Sequence, residues 1–339
     1  MSFTSREIRL TSRPSGAPTA ANFEVGEVSL AAPGDGEVLV RNLWMSVDPY
    51  MRGRMNDQRS YVPPFQIGEA LQGGALGEVV ESNHSGYAAG DKVMHMLGWR
   101  EGFVSKPEDA LLTKVQELPG IPLQSYLGSL GMPGLTAYVG LLDIGEPKEG
   151  ETVLVSAGSG AVGAVVCQIA RIKGCRVVAT AGSDEKCTWL RDELKVDAAI
   201  NYKTASPNLF KALSEACPKG VDVYFENVGG EHLQCAIELM NPFGRLSMCG
   251  MISHYNDTAP APGPTNLIQT VGKSLKMQGF IVSNHFDRQP AFLADMAQWI
   301  QAGQMHWKET VYEGVERAPD AFMALFSGDN FGKMLVKLA

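Results

Sequence analysis

The strand-like run TVLV (152–155) leads directly into Ser156-Ala157-Gly158-Ser159-Gly160-Ala161-Val162-Gly163 and then into the apolar stretch AVVCQIARI. Glycines spaced G-x-G-x-x-G between a strand and a helix suit a particular task. Gly158 allows a tight turn, Gly160 allows close approach of a ligand phosphate to the backbone, and Gly163 allows the helix to pack closely on the strand. The helix that follows presents unpaired N–H groups and a partial positive charge at its start. Gly158, Ser159, Gly160, Ala161, Val162 and Gly163 are therefore expected to cradle the pyrophosphate of a dinucleotide. A purely structural glycine turn is the alternative.

The next strand-like run, CRVVATAG (175–182), bears on which dinucleotide. A site for NAD places an acid ~20 residues past the glycine turn to hold the ribose hydroxyls. Here Gly182 and Ser183 occupy that place, and Lys186 follows one turn into the next helix. An ammonium there suits a 2′-phosphate, so the missing acid and Lys186 point to NADPH. Lys186 is otherwise a plain surface lysine beside Asp184 and Glu185.

The first ~125 residues read as β-rich, with short apolar runs separated by Gly-containing turns, the pattern of a small twisted barrel. From Thr152 strand and helix alternate, which implies a parallel sheet covered on both faces. Ser183 is placed to cap the helix SDEKCTWLRDEL. The Pro-rich run 254–267 has no period and is expected to be a functional loop. PAFLADMAQWIQAG (290–303) reads as an amphipathic helix, and the tail after Met305 as short strand-like pieces. The expectation is an α/β protein of two domains: a dinucleotide-binding doubly wound domain over 129–303, inserted into a β-rich domain formed by 1–128 and 304–339.

Composition narrows the function classes. Net charge is −8, from 29 basic and 37 acidic residues, with no basic stripe of the kind a nucleic-acid binder carries. No run approaches the ~18 apolar residues of a membrane span, and the first residues lack a signal-peptide core, so a cytoplasmic protein is expected. The six cysteines have no CxxC spacing and read as small buried hydrophobes.

The segments SVDPYMRGRM (46–55), GMPGLTAYVGLL (131–142), SAGSGAVG (156–163), AGSDEKC (181–187), NYK (201–203), YFENVGG (224–230), CGMISHYN (249–256) and GDNFGKMLV (328–336) together resemble the zinc-independent medium-chain dehydrogenase/reductases. Within them they are similar to the prostaglandin reductase, plant double-bond reductase and bacterial curcumin reductase-like branch. The resemblance implies a Rossmann domain beside a GroES-like, partly open barrel, and a homodimer joined at the Rossmann sheet edge. It implies that Tyr202 joins Lys186 at the 2′-phosphate, and that Asn227, Cys249, Gly250, Met251 and Ile252 border the cofactor. Met132 and Thr136 resemble contacts to the nicotinamide half, Phe280, Ile281 and Val282 the strand that walls it, and Asn330 a late contact from the tail.

Zinc-dependent relatives carry a cysteine ligand near the start and a four-cysteine lobe. This chain has no cysteine before Cys167, and IGEALQGG stands where those relatives have GHE, so no metal is expected. His84 and His95 stand without companions. A metal-free NADPH site suits reduction of a carbon–carbon double bond conjugated to a carbonyl. Negative charge then develops on the carbonyl oxygen, and a neutral tyrosine hydroxyl is a suitable donor to it. Tyr255, just past a strand end at the mouth of the Pro-rich loop, is the first candidate; packing a lid is its alternative role. Tyr50 and Tyr61 follow, as pocket walls or alternative donors. The substrate expected is a small-molecule electrophile with a conjugated double bond. An NADPH quinone oxidoreductase and a non-catalytic NADPH-binding protein are the other readings.

Overall fold

A computed structural model describes residues 3–118 and 120–339. Its contacts divide the chain into two compact units, one of Met1–Leu127, Glu309–Asn330 and Met334–Ala339, the other of Gly128–Lys308 and Phe331–Lys333.

The first unit contains β1 (Phe3–Leu10), β2 (Phe23–Leu30), β3 (Val38–Ser46), the single turn α1 (Met51–Arg54), β4 (Ala75–Ser82), β5 (Lys92–His95), β6 (Gly102–Ser105) and β7 (Thr113–Lys114). The second contains α2 (Met132–Val139), β8 (Thr152–Val155), α3 (Gly163–Ile172), β9 (Arg176–Ala181), α4 (Asp184–Asp192), β10 (Ala198–Asn201), α5 (Tyr202–Ala205), α6 (Leu209–Ala216), β11 (Val221–Glu226), α7 (Gly230–Leu239), β12 (Met240–Met248), α8 (Gln269–Gly272), β13 (Lys276–Gly279) and α9 (Gln289–Gln301). The chain then supplies β14 (Glu309–Glu313), α10 (Ala318–Ser327) and β15 (Lys333–Lys337).

In the first unit β1 and β2 form an antiparallel pair, and β14, β15, β3, β4, β5 and β7 lie side by side in that order, with β6 also on β3. β3 changes partners along its length. Val38–Arg41 pair with β6, and Trp44–Ser46 with β15. Two irregularities in its ladder with β4, at Leu39/Val40 and Asn42/Trp44, accompany that change and curl the sheet. The curl is not completed: among the described residues β14 and β7 remain unpaired with each other, so the barrel is open. Ile8, Leu10, Met45, Met51, Met55, Trp99 and Phe322 fill its core.

The second unit is a six-stranded parallel sheet in the order β10-β9-β8-β11-β12-β13, the doubly wound arrangement expected from strand–helix alternation. All four residues of β8 are buried, as a central parallel strand requires. Against one face of the sheet, Leu209, Leu213, Leu233 and Ile237 from α6 and α7 meet Leu154, Val178, Tyr224 and Leu246. α4 starts where expected, because Ser183 accepts a hydrogen bond from the Lys186 backbone N–H at 3.3 Å. α9 opens with a proline in its first turn, where the missing N–H costs nothing.

Two expectations need correction. Phe280–Val282 are not a strand: β13 stops at Gly279, and the chain turns into a 3₁₀ segment from Val282. The tail is not all strand, since Ala318–Ser327 form a helix that buries Ala321, Phe322 and Leu325. Its apolar residues recur at helical spacing inside a segment too short to announce that period, and Gly328 ends it at φ 75°. No described helix is long and apolar enough to cross a membrane.

Candidate active site

Every strand of the parallel sheet delivers sequence-flagged residues to its carboxyl end, the edge at which open α/β sheets take ligands. The glycine turn leaves β8 at the sheet's centre. Its left-handed residue is Ala157, at φ 49°, and not Gly158. Gly158 answers a packing need instead: a Cβ there would lie 2.7 Å from the Ala179 Cβ on β9. A Cβ on Gly163 would overlap the Ala157 carbonyl oxygen, so the start of α3 lies tight on the turn. At Gly160 the only neighbour a Cβ would meet is that same oxygen, at 3.2 Å. The turn is thus packed tight at Gly158 and Gly163, while at Gly160 the Cβ direction is clear but for that oxygen, where a ligand phosphate could approach the backbone. Ser159, Ala161 and Val162 complete it.

A segment that sequence reasoning did not assign to this turn lies on it. Gly160 and Gly332 form a parallel bridge, and Gly332 takes φ 70°. A Cβ on Gly332 would overlap the Lys308 carbonyl. The strap is held by aromatic contacts. Phe331 stands edge-on to Trp189 of α4 at 5.1 Å, and the Lys308 ammonium lies 4.3 Å from the Phe331 ring centre. Asn330 immediately precedes it.

At the end of β9, Gly182 and Ser183 stand where an acid would bond a ribose, and Lys186 lies in the first turn of α4. Tyr202, first residue of α5, comes to Gly182: its hydroxyl lies 3.3 Å from where a Gly182 Cβ would be. Behind Tyr202, the buried His232 ring stands edge-on at 5.0 Å. Burial pulls His232 down to about 4, so that ring is neutral.

The ends of β11 and β12 are joined through Glu226. Its side chain is fully buried, and one carboxylate oxygen, Oε1, accepts from the Tyr224 hydroxyl at 2.9 Å, the Ser156 hydroxyl at 3.0 Å and the Val228 N–H at 2.6 Å. Among the described residues Oε2 has no hydrogen-bond partner, and burial raises the carboxyl's pKa. Ser156 in turn receives the Asn227 N–H at 2.8 Å, and the Asn227 amide donates to the Ser156 carbonyl at 2.7 Å. Cys249 and Gly250 both donate their N–H groups to the Glu226 carbonyl at 3.0 Å. Met251 and Ile252 lie past the end of β12, on the 3₁₀ turn that leads to Tyr255. The Tyr255 hydroxyl lies above Gly250, 2.9 Å from where a Cβ would be. Phe280 packs edge-on against Phe225 at 6.5 Å, while the Thr136 hydroxyl is turned onto its own helix, donating to the Met132 carbonyl at 2.7 Å.

In the first unit, Tyr50 stands immediately before α1, and burial raises the tyrosine's pKa. Arg54 is fixed by the Pro63 carbonyl at 2.9 Å, by Gln72 at 3.0 Å and by stacking over Phe65 at 4.1 Å. Tyr61 is exposed. Arg52 reaches the Gly16 carbonyl at 2.8 Å and Asn56 at 2.8 Å, so its guanidinium braces the chain.

These residues fit a dinucleotide: an open backbone cradle at Gly160, and an acid-free corner at Gly182 lined by Tyr202. Residues 6–114 match a family described as the N-terminal domain of oxidoreductase, and residues 161–301 one described as zinc-binding dehydrogenase. The chain is 44% identical to the NADPH-dependent curcumin reductase of Escherichia coli, over 97% of this chain and 96% of that protein. It is 39% identical to the NADP(+)-dependent 2-alkenal reductase of Nicotiana tabacum, over 99% of this chain and 98% of that protein. The crystal structure of CurA from Vibrio vulnificus in complex with NADPH matches with a TM-score of 0.93 at 43% identity, covering 98% of this chain and 99% of that one.

The chain belongs to the zinc-independent medium-chain dehydrogenase/reductases.

As a medium-chain reductase it carries, among the described residues, no group of three or more His, Cys, Asp or Glu side chains able to hold a metal. Five of its cysteines are buried and Cys249 is half-buried. His84 and His95 each accept a nearby backbone N–H, at 3.0 and 3.1 Å, and burial pulls His95 down to about 3. Sequence reasoning missed Gly332, Glu226, His232 and Arg54. Gly332 offered a faint signal in the FGK triplet; the other three become visible only when the fold brings their partners together.

Proposed function

We propose that this medium-chain reductase uses NADPH to reduce the carbon–carbon double bond of α,β-unsaturated aldehydes and ketones. The observation that carries the reading is the Tyr255 hydroxyl held over Gly250, on the same sheet edge as the glycine turn and the acid-free corner at Gly182. The named activities of the curcumin and 2-alkenal reductases support it.

NADPH, when bound, would supply the hydride that the β-carbon of the substrate receives. The N–H groups of Gly158 and Gly160 donate to the Thr180 and Ala157 carbonyls, so Gly158–Gly163 would cradle the pyrophosphate through the shape of the turn and the N-terminus of α3, with Lys186 and Tyr202 meeting the 2′-phosphate. Asn227, Cys249–Ile252, Met132, Thr136, Phe280–Val282 and Asn330 complete the cofactor's surroundings. As charge collects on the substrate carbonyl oxygen, the Tyr255 O–H donates a hydrogen bond to it and stabilises the enolate. Such a donor is worth on the order of 10²–10³ in rate in acyl-transfer enzymes. The enolate is protonated at the α-carbon from solvent. Tyr50 and Tyr61 are proposed, from the resemblance, as further residues that contact substrate.

A cytoplasmic homodimer is part of the proposal. β13 ends the parallel sheet, and an unpaired edge strand is a template for a second copy. Phe243, Ile268 and Val271 near that edge are each about three-quarters exposed, at 74%, 76% and 74%. Light scattering at micromolar concentration is expected to give twice the chain mass; a monomer would rule the edge contact out.

Turnover tests the function. NADPH oxidation is expected with a 2-alkenal and not with the matching saturated aldehyde. Faster turnover of simple quinones than of any enone would favour the quinone oxidoreductase reading instead.

A further inference from the structure

The corner at Gly182 holds a second cation. The site where a Gly182 Cβ would stand lies 3.3 Å from the Tyr202 hydroxyl and 3.4 Å from the Lys203 Cε. Both neighbours are the first residues of α5, directly after β10, and that junction is fixed in place. Asn201 accepts the Lys203 backbone N–H at 3.1 Å and donates its amide to Asp184, at the start of α4, at 2.9 Å. Tyr202 is backed by the buried His232 ring. Lys203 itself is exposed, and its ammonium has no ion-pair partner among the described residues. An exposed lysine beside a strand end where Gly182 replaces the ribose-binding acid, and near a tyrosine hydroxyl, is matched to a phosphate dianion.

We propose that Lys203 is a specificity-determining residue of this reductase: its ammonium, together with Lys186, binds the 2′-phosphate that distinguishes NADPH from NADH. The proposal rests on the NADPH reading above and adds a residue to it. Asn201 is then a positioning residue, setting the direction of Lys203 through its backbone. The absence of a side chain at Gly182 leaves the space into which both the phosphate and the lysine reach.

Dissociation constants for NADPH and NADH, measured by fluorescence titration on the full chain, test this. The variants are Lys203→Ala, Lys203→Gln and Lys203→Arg. Wild type is expected to bind NADPH far more tightly than NADH. The ratio of the two constants should fall roughly tenfold in Lys203→Ala and Lys203→Gln, the loss of one charge-assisted hydrogen bond, and stay near the wild-type value in Lys203→Arg. The salt dependence of NADPH binding should flatten in the two neutral variants. A ratio within twofold of wild type in both neutral variants would overturn the proposal while leaving the NADPH reading intact. A wild type that binds both nucleotides equally would overturn the NADPH reading and this proposal with it.

Discussion

Gly332 donates its backbone N–H to the carbonyl of Ser159 at 2.9 Å, so a segment near the C-terminus is hydrogen-bonded to the middle of the glycine turn. The cradle proposed for the pyrophosphate is therefore held from outside the β8–α3 unit that forms it. Gly332→Ala places a methyl group on a backbone at φ 70° and against the Lys308 carbonyl. The backbone conformation alone costs of order 1–3 kcal/mol with a side chain present. We expect a lowered melting temperature and NADPH affinity weakened at least tenfold. Unchanged NADPH affinity would show that the strap does not shape the turn.

Tyr255 and Gly250 form a second coupled pair. Tyr255→Phe is expected to lower kcat with an enone by roughly 10²-fold, as loss of one donor to a developing oxyanion does, with NADPH affinity nearly intact. Gly250→Ala puts a methyl group 2.9 Å from the tyrosine hydroxyl and displaces it. It too should lower kcat, and adding it to Tyr255→Phe should cost little more, because both act on one hydroxyl. Additive losses in steady-state kinetics would separate the two residues.

Much of this arrangement was legible in the chain, and the division has a physical cause. The glycine turn, the strand–helix alternation, the Ser183 cap and the missing acid at Gly182 are local: each is written within a few consecutive residues. The strap is not local. Gly332 and Ser159 lie far apart in sequence, and nothing in FGK states which turn it will meet. Tyr224, Glu226 and Ser156 read as parts of apolar strands until register brings Phe225 beside Val155 and aligns the polar groups at their ends. Gly158 shows the limit of motif reading even locally. The motif explains its glycine by the tight turn, whereas the left-handed residue is Ala157 and the space at Gly158 is taken by Ala179 on the neighbouring strand.

Glu226 makes stability depend on pH in a direction that can be worked out. Burial raises its pKa above the ordinary 4.5, so the native state holds a proton that the unfolded chain releases. The protonated carboxyl's contribution is complete below about 4.5 and is lost as pH rises through the native value. Glu226→Gln keeps an acceptor for Tyr224, Ser156 and Val228 and removes the titration. The melting temperature of the variant relative to wild type should therefore rise as pH is raised above 4.5, and the two should converge toward pH 4.5. A difference that does not change with pH would mean the carboxyl is ionised in the native protein.

His232 carries the opposite dependence. Its native value of about 4 lies below the ordinary 6.5, so its neutral form is fully stabilising above 6.5 and that stability is lost as pH falls toward 4. The span corresponds to roughly 3 kcal/mol. Thermal melts of His232→Phe, which keeps a ring beside Tyr202, should show a shallower loss between pH 6.5 and 4 than wild type. Parallel losses in the two proteins would assign the acid sensitivity elsewhere.

The central claim is that hydride reaches the β-carbon of a conjugated carbonyl compound, with Tyr255 holding the oxygen. Turnover of a 2-alkenal with NADPH deuterated at the transferring position, followed by mass spectrometry and NMR of the product, addresses it directly. The account predicts the saturated aldehyde with deuterium on the β-carbon and a solvent proton on the α-carbon. An allylic alcohol with deuterium on the carbinol carbon would contradict it.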